Sequence, residues 1–320
     1  MKRQKQYENV SVALATYNGE KYLKDQLDSI YRQTINNIEV VVVDDFSNDN
    51  TLSILKSYNK KYGLKYFVNN ATLGVTKNFE KAISLCQGEF ILLSDQDDIW
   101  RNDKIEILLK NIGKNSLIYS NADIIDENNC SKNDSAKARN YIYGIDSSNQ
   151  NFYKYAVLNS FVLGCTIMFR QSLLKSVVPI LDTTRNHDWF ITCIAHQNGG
   201  VKYLDKKLTL YRHHKGNYSR NNLHLSFYKA LCQFFSKEFV ETRRLKILEQ
   251  NAILNYFKEN NIFSSKDEVF LNDMLKFTKS YLNSIIHLRA FLLAVKYHKY
   301  FYSTKNKLKN KLMLISKLIG

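Results

Sequence analysis

The sequence predicts an α/β protein in which a mostly parallel β-sheet is flanked by helices and followed by a C-terminal helical region. Over the first 110 residues, apolar runs of strand length alternate with segments of helical periodicity at a spacing of about 25 residues, which is typical of repeated strand–helix units. Beyond about residue 224 the apolar residues keep helical spacing to the end. We therefore expect two parts, residues 1–223 with the sheet and residues 224–320 with basic helices.

Four strands and three helices are predicted in the first hundred residues. The strands are short apolar runs, as buried parallel strands are, and they cover residues 10–16, 39–43, 64–68 and 89–94. The helices place apolar residues on one face, and they cover residues 20–33, 50–62 and 75–87. Ligands bind beyond the carboxyl ends of the strands in such sheets, so the polar residues that follow each strand are the first candidates for a site.

The middle of the chain has a mixed pattern. Strands are predicted at residues 117–126, 161–169, 201–204 and 208–211, and helices at residues 171–177 and 188–198. The polar stretch of residues 127–150 is predicted to be a long loop.

The composition limits the classes of partner. The chain has 46 Lys and Arg residues against 30 Asp and Glu, a formal net charge of +16, which favours phosphorylated substrates, anionic lipid or nucleic acid. Nucleic acid ranks lowest, because no nucleic-acid-binding module is recognisable. The five cysteines form no CxxC pair, which indicates a reduced, cytoplasmic protein. Neither a signal peptide nor a membrane-spanning segment is expected.

The most informative cluster is SDQDDIW at residues 94–100, directly after the fourth predicted strand. Its carboxylates, those of Asp95, Asp97 and Asp98, repel one another unless a cation lies among them. Mg²⁺ or Mn²⁺ suits oxygen ligands and would neutralise a diphosphate. The alternative is a solvated acidic loop or helix N-terminus, but the position after a buried strand favours the metal hypothesis.

Three further segments hold candidate residues. Asp44 and Asp45 follow the second strand, where a carboxylate can accept a hydrogen bond from a nucleobase or a ribose. A purely structural role for the two residues stays open. Asp188, at the predicted start of a helix, is a candidate general base, against the alternative of a helix cap. Arg212 and His214 follow the last strand and suit a diphosphate, or else belong to a basic surface loop. GxGxxG and P-loop motifs are absent from the sequence.

The last 36 residues have a distinct composition. Residues 285–320 contain eight Lys and Arg and no Asp or Glu, interleaved with apolar residues. This pattern indicates an amphipathic helix on an anionic membrane surface. A helical face packed on its own domain is the alternative.

Together these segments resemble family 2 glycosyltransferases of the GT-A fold, a Rossmann-like architecture. The resemblance covers roughly residues 9–220 and rests on TYNGE, VDDFS, LGVTKNF, DQDDIW and YRHHKGNYS, in that order. The combination is specific, and it is similar above all to rhamnosyltransferase-type members that assemble bacterial surface polysaccharides. Phe46 stands where the family more often has glycine, and the QxxRW motif of processive synthases is absent.

The resemblance implies a role for each candidate. Those implied to bind the nucleotide or donor are Thr16, Tyr17, Glu20, Asp44, Asp45, Lys77, Asp95, Asp98, Trp100 and Arg212. The implied metal ligands are Asp97 and His214, for Mg²⁺ or Mn²⁺, and the implied catalytic base is Asp188. Asp44 or Asp45 would contact the nucleobase, whereas Asp98 and Trp100 would border the donor sugar.

The implied reaction is an inverting, metal-dependent transfer from a nucleotide-diphosphate sugar, dTDP-rhamnose or a UDP-hexose, to a lipid-linked glycan in capsule, O-antigen or cell-wall polysaccharide assembly. The implied location is cytoplasmic and peripheral, on the inner face of the plasma membrane, with a possible homo-oligomer through the C-terminal helices. Two alternatives remain open. One is a nucleotidyltransferase acting on sugar phosphates, and the other is a non-catalytic basic protein that binds membrane or nucleic acid.

Overall fold

The computed structural model describes residues 10–140, 142–182, 184, 186–214, 216, 237–260, 267–283, 288–297 and 300. The strands in these ranges are β1 (Val10–Thr16), β2 (Ile38–Asp44), β3 (Lys65–Val68), β4 (Phe90–Ser94), β5 (Ile99–Trp100), β6 (Leu117–Ile125), β7 (Ser131–Ser135), β8 (Ile167–Arg170) and β9 (Val201–Arg212). The α-helices are α1 (Leu23–Tyr31), α2 (Thr51–Tyr62), α3 (Val75–Leu85), α4 (Lys104–Asn111), α5 (Ala136–Arg139), α6 (Phe152–Leu158), α7 (Leu174–Val177), α8 (His187–Gln197), α9 (Lys237–Glu259), α10 (Glu268–Asn283) and α11 (Leu288–Lys296).

The strands form one mixed sheet in the order β3-β2-β1-β4-β8-β6-β9-β5, with β7 paired to β6. The first four strands are parallel to one another. The second half is mixed, because β8 pairs antiparallel with both β4 and β6 while β6 and β9 are parallel. The predicted α/β fold is confirmed, and the parallel arrangement predicted from the first 110 residues holds for those strands.

Two apolar layers cover the two faces of the sheet. Val12 and Leu14 of β1 belong to the layer that α1, α2 and α4 complete, whereas Ala13 belongs to the layer with α3 and α8. Successive strand residues face opposite sides of a sheet, so one apolar strand supplies both layers. Helices α9 and α10 pack into the second layer through residues such as Phe257 and Phe277. The predicted boundary at residue 223 lies outside the described residues.

Three segments differ from the sequence-based predictions. The strand predicted at residues 161–169 begins only at Ile167, because Gly164–Thr166 forms a 3₁₀ turn. The two strands predicted at residues 201–204 and 208–211 are one strand, β9, which pairs with β6 on both sides of a bulge. The loop predicted at residues 127–150 contains β7 and α5.

The sheet places the candidate residues side by side. Thr16 is the register partner of Asp44 across β1 and β2, and Leu14 is the partner of Ser94 across β1 and β4. The polar residues that follow these three strands therefore share one edge of the sheet, as the strand order of a parallel sheet requires.

Candidate active site

An acidic cluster follows β4. The carboxylates of Asp95 and Asp98 and the thiol of Cys165 offer ligand atoms that all lie within 4.8 Å of one another. Asp98 is buried, its Oδ1 accepts from the backbone N–H of Arg212 at 3.0 Å, and the Cys165 thiol lies beside its carboxylate. Burial raises the pKa of Asp98, and the charge of Asp97 adds to this effect. The cluster therefore holds more negative charge than its surroundings favour.

Asp97 and His214 form a pair beside this cluster. The Asp97 Oδ2 and His214 Nε2 atoms are 2.8 Å apart, and both side chains are partly open to solvent. The other ring nitrogen of His214 accepts from the backbone N–H of Gly216 at 3.1 Å, and its ring packs against Tyr22 with centroids 4.9 Å apart. The two residues that the resemblance implies as metal ligands are therefore in direct contact.

Two buried cations lie at the acidic cluster, and one of them binds the acidic loop directly. The Arg212 side chain is 1% exposed, donates from Nε to the carbonyl of Asp97 at 2.7 Å and lies over the ring of Tyr22. Lys104 is buried in α4, and its amine donates to the carbonyl of Cys165 at 2.6 Å and to Thr209 Oγ1 at 3.0 Å. Burial lowers the pKa of Lys104 to about 7. Arg212, which was predicted to bind the donor, thus forms a hydrogen bond to the backbone of the acidic loop.

Replacing Lys104 with methionine should destabilise the fold. Lys104→Met removes the amine that donates to the Cys165 carbonyl and to the Thr209 hydroxyl, and it leaves the carbonyl only the longer hydrogen bond from Thr209 at 3.3 Å. Losing these bonds between buried groups costs about 1–3 kcal/mol. The free energy of unfolding in urea measures this loss. Lys110→Met is the matched control, because Lys110 lies on the same helix with an exposed ion pair to Glu106, and it should change stability by about 0.5 kcal/mol or less. Equal unfolding midpoints for the two variants would contradict this role of Lys104.

Asp188 lies in the first turn of α8, where the sequence places it. Its Oδ1 accepts from the backbone N–H of Trp189 at 2.7 Å, and its Oδ2 accepts from that of Gly164 at 3.1 Å. Burial raises the pKa of Asp188 to about 6, and the charge of Glu249 on α9 adds to this effect. The Asp188 charge in turn helps to raise the pKa of Asp95, after the effects of burial, Asp98 and Asp97. Asp188 and the acidic cluster therefore share one electrostatic environment.

Gln96, the middle residue of the D-x-D sequence, joins two loops of the site. Its Oε1 accepts from Thr16 Oγ1 at 2.6 Å and from the Tyr17 N–H at 2.9 Å, and its Nε2 donates to the Tyr17 carbonyl at 3.1 Å. A Cβ atom at Gly19 would lie 2.5 Å from the same Oε1, so glycine permits this close approach. Thr16 and Tyr17 are held directly against the loop that contains the acidic cluster.

The remaining nucleotide candidates shape loops. Asp44 accepts from the N–H of Ser47 at 2.9 Å and from its hydroxyl. Asp45 accepts from Asn69, Leu73 and Gly74 at 2.8–2.9 Å. Both aspartates are buried. Glu20 is exposed, and its carboxylate accepts from the backbone and side chain of Asn50.

Two predicted donor residues are not brought to the cluster. The amine of Lys77 binds Glu80, Asp182 and the carbonyl of Ile180 at 2.6–3.0 Å, so it ties α3 to the segment before α8. Trp100 is 3% exposed and packs in the apolar layer beneath α1 and α4, with the Lys104 amine 3.6 Å from its ring centroid. The prediction that Trp100 borders the sugar is not supported, because the short strand β5 turns its side chain into the core.

Three residues that bind site residues or act on them through their charge are absent from the sequence-based predictions. Gln96 could have been found from its position inside D-x-D, and Lys104 from its place on the apolar face of α4 with Ile105 and Leu108. Glu249 belongs to a helix distant in sequence from Asp188, so no local pattern points to it.

The chain belongs to glycosyl transferase family 2, whose family model matches residues 11–178. It is 31% identical over 220 residues to the dTDP-rhamnosyl transferase RfbG of Shigella flexneri, an alignment that covers 64% of this chain and 72% of RfbG. The protein is therefore a glycosyltransferase, as the motifs predict.

Solved structures confirm the GT-A fold. S. aureus TarS 1-349 in complex with UDP-GlcNAc has a TM-score of 0.58 at 19% identity, covering 96% of this chain and 90% of TarS 1-349. The mannosyltransferase PcManGT from Pyrobaculum calidifontis in complex with GDP-Man and Mn²⁺ has a TM-score of 0.53 at 15% identity, covering 98% of this chain and 86% of PcManGT. At these identities the likeness is one of fold.

Proposed function

We propose that the protein is an inverting, metal-dependent glycosyltransferase that moves a sugar from a nucleoside diphosphate sugar to a hydroxyl group of a glycan acceptor. The observation that supports this most is the position of Asp188, a carboxylate that accepts from the Gly164 N–H at 3.1 Å. The next residue, Cys165, has its thiol within 4.8 Å of carboxylate oxygens of Asp95 and Asp98 in the acidic cluster after β4. A base beside a diphosphate-binding site is what such a transfer requires. The setting is the assembly of a bacterial capsule, O-antigen or cell-wall polysaccharide.

The proposed donor is dTDP-rhamnose, with a UDP-hexose as the second choice. The relative RfbG, named a dTDP-rhamnosyl transferase, supports the first. In the proposed complex the nucleoside lies at the ends of β1 and β2, near Thr16 and Tyr17. The diphosphate lies toward Asp95 and Asp97.

Asp97 and His214 are the proposed ligands of Mg²⁺ or Mn²⁺. Their carboxylate oxygen and imidazole nitrogen are in contact, and both side chains are more open than Asp98, which suits a cation that keeps water and phosphate ligands. Cys165 does not fit such an ion, because burial raises the pKa of its thiol and a hard cation prefers oxygen. When bound, the metal ion would neutralise the charge on the departing diphosphate.

The proposed step is a single displacement. The acceptor oxygen forms a bond to the anomeric carbon while its proton passes to a carboxylate oxygen of Asp188. The bond between that carbon and the diphosphate oxygen breaks, and the electron pair leaves with the diphosphate. The hydrogen bonds from Gly164 and Trp189 fix the orientation of the Asp188 carboxylate before the acceptor arrives.

The proposed acceptor is a lipid-linked glycan at the inner face of the plasma membrane, and the proposed contact with anionic lipid is supported by the basic residues of 285–320. A homo-oligomer through the C-terminal helices is also proposed. Residues 301–320 of this segment lie outside the described ranges. Among the helices in the described ranges, none is long and apolar enough to cross a membrane.

A donor panel tests the proposed function. The protein is incubated with dTDP-rhamnose, UDP-hexoses and GDP-mannose, with Mg²⁺ or Mn²⁺ and without metal, and the release of nucleoside diphosphate is followed. We expect slow release from at least one donor that EDTA stops. A nucleotidyltransferase would instead form pyrophosphate from a nucleoside triphosphate and a sugar phosphate. Release from no donor, together with no binding of any nucleoside diphosphate, would contradict the proposal.

A further inference from the structure

One corner of the site exposes large apolar side chains. Four residues there have side chains that are 39–56% exposed. They are Tyr17 after β1, Phe46 in the turn after β2, Val68 at the end of β3 and Leu73 in the turn before α3. Hydrogen bonds tie their segments together. The Asp45 N–H donates to the Thr16 carbonyl at 2.8 Å, the Asn69 N–H donates to the Asp44 carbonyl at 2.9 Å, and the Asp45 carboxylate accepts from the Leu73 N–H at 2.8 Å. Exposed large apolar side chains grouped on neighbouring segments often mark a binding site.

Phe46 stands out among these residues because its backbone is strained. Its φ is +68°, in the left-handed region, which is costly for a residue with a bulky side chain. The other non-glycine residues with positive φ in the described ranges are all asparagines: Asn18, Asn37, Asn129 and Asn133. Phe46 therefore combines backbone strain with a side chain that is 56% exposed. Asparagine or glycine at this position would avoid both costs.

The surrounding turn holds Phe46 in this conformation. On one side Asp44 accepts from the Ser47 N–H at 2.9 Å, and the Ser47 hydroxyl accepts from the Asn18 N–H at 2.8 Å. On the other side Asp45 accepts from the Gly74 N–H at 2.8 Å. An aromatic ring attached to a turn fixed on both sides is a preformed surface for a ligand, since little freedom is lost on binding.

The chemistry of the corner suits the flat face of a heterocycle. The carboxylates of Asp44 and Asp45 are buried and already accept hydrogen bonds on both oxygens. The side chains that remain to contact a ligand at this surface are therefore apolar. Among apolar side chains, aromatic rings stack on nucleobases of every kind. Within the corner, the backbone of Tyr17 is hydrogen-bonded to Gln96, in the loop of the acidic cluster.

We propose that Phe46 stacks on the nucleobase of the donor and, with Tyr17, forms the base-binding surface of this enzyme. The inference rests on the proposed function, because it requires a nucleotide donor at the ends of β1 and β2. The strain at Phe46 is retained because the ring contributes to donor affinity. Such strain persists where the surrounding structure fixes it, and it concentrates at functional sites.

The test uses the full chain and measures the binding of dTDP, UDP and GDP by calorimetry, with Mg²⁺ or Mn²⁺ present. Phe46→Asn should raise the dissociation constant of the bound nucleotides about tenfold, as expected for the loss of one stacking contact. It should leave the binding of inorganic pyrophosphate unchanged, because pyrophosphate has no base. The same variant should unfold at the same or a higher temperature, because asparagine tolerates positive φ.

Two further variants separate stacking from a general effect on the loop. Phe46→Trp should retain nucleotide affinity within about threefold, since tryptophan also stacks. Val269→Asn removes another exposed apolar side chain, on α10, and should have no effect on binding.

Each other outcome overturns the proposal. If wild type binds a nucleoside diphosphate and Phe46→Asn binds it equally well, the inference fails while the proposed function stands, and the corner belongs to another partner. If pyrophosphate binding falls together with nucleotide binding, Phe46 only supports the loop. If wild type binds no nucleoside diphosphate, the proposed function and this inference fail together.

Discussion

Replacing Asp188 with asparagine should reduce turnover about 10²–10⁴-fold, which is the usual contribution of a general base, and leave the affinity for donor nucleotide nearly unchanged. The variant keeps the shape of the side chain and an oxygen that can accept from Gly164 or Trp189. It loses the ability to take a proton from the acceptor. Single-turnover rates and calorimetric dissociation constants for the same donor separate the two effects.

Asp205→Asn is a matched control for this variant, because Asp205 is a surface residue that pairs with Lys137. It should retain wild-type turnover. The pH profile adds a second check. Burial raises the pKa of Asp188 to about 6, and a base acts in its deprotonated form, so kcat/KM should rise with pH up to about 6 and level off above it. Near-normal turnover in Asp188→Asn would show that another group accepts the proton.

Replacing Asp97 with asparagine should remove metal-dependent nucleotide binding and lower turnover about 10²–10³-fold, as the loss of one charged group at a diphosphate does. Asp97 is in contact with His214, and its negative charge is the part of the pair that favours a divalent cation. Asparagine keeps a weaker oxygen ligand and loses that charge. The measurement is a titration of Mn²⁺ into the protein in the presence of a nucleoside diphosphate.

Asp103→Asn is the control for this second prediction. Asp103 lies six residues further along the chain in a partly exposed ion pair with Arg101, so its loss should leave Mn²⁺ affinity unchanged. If Asp97→Asn bound Mn²⁺ and nucleotide as wild type does, the metal would belong elsewhere, with Asp95 and Asp98 as the remaining carboxylates of the loop.

The first half of the sheet could be predicted from the sequence because each strand there is a continuous apolar run. β1 and β2 are covered on both faces, so their residues are apolar without alternation and stand out from the helices between them. The bounds of the later strands could not be predicted in this way, because strand pairing rather than composition determines where they begin and end. For example, β9 continues through the charged residues 205–207 because β6 pairs with the residues before and after them.

The position of the site could also be predicted, because the strand order places the ends of β1, β2 and β4 at one edge. What each side chain contacts could not. Trp100 belongs to a conspicuous motif, yet the pairing of β5 with β9 buries it. Lys77 is drawn to Glu80 and Asp182, and the second lies more than a hundred residues away in the chain. The strain at Phe46 depends on a turn fixed by distant residues.

In the proposed mechanism, Asp188 takes the proton of the acceptor in a single displacement. The most direct measurement is the anomeric configuration of the transferred sugar, determined by NMR on the product formed from a donor of known configuration. We expect the anomeric configuration in the product to be opposite to that in the donor. Retention of configuration would contradict it, because retention requires two successive displacements or a front-face attack, and neither gives Asp188 this role.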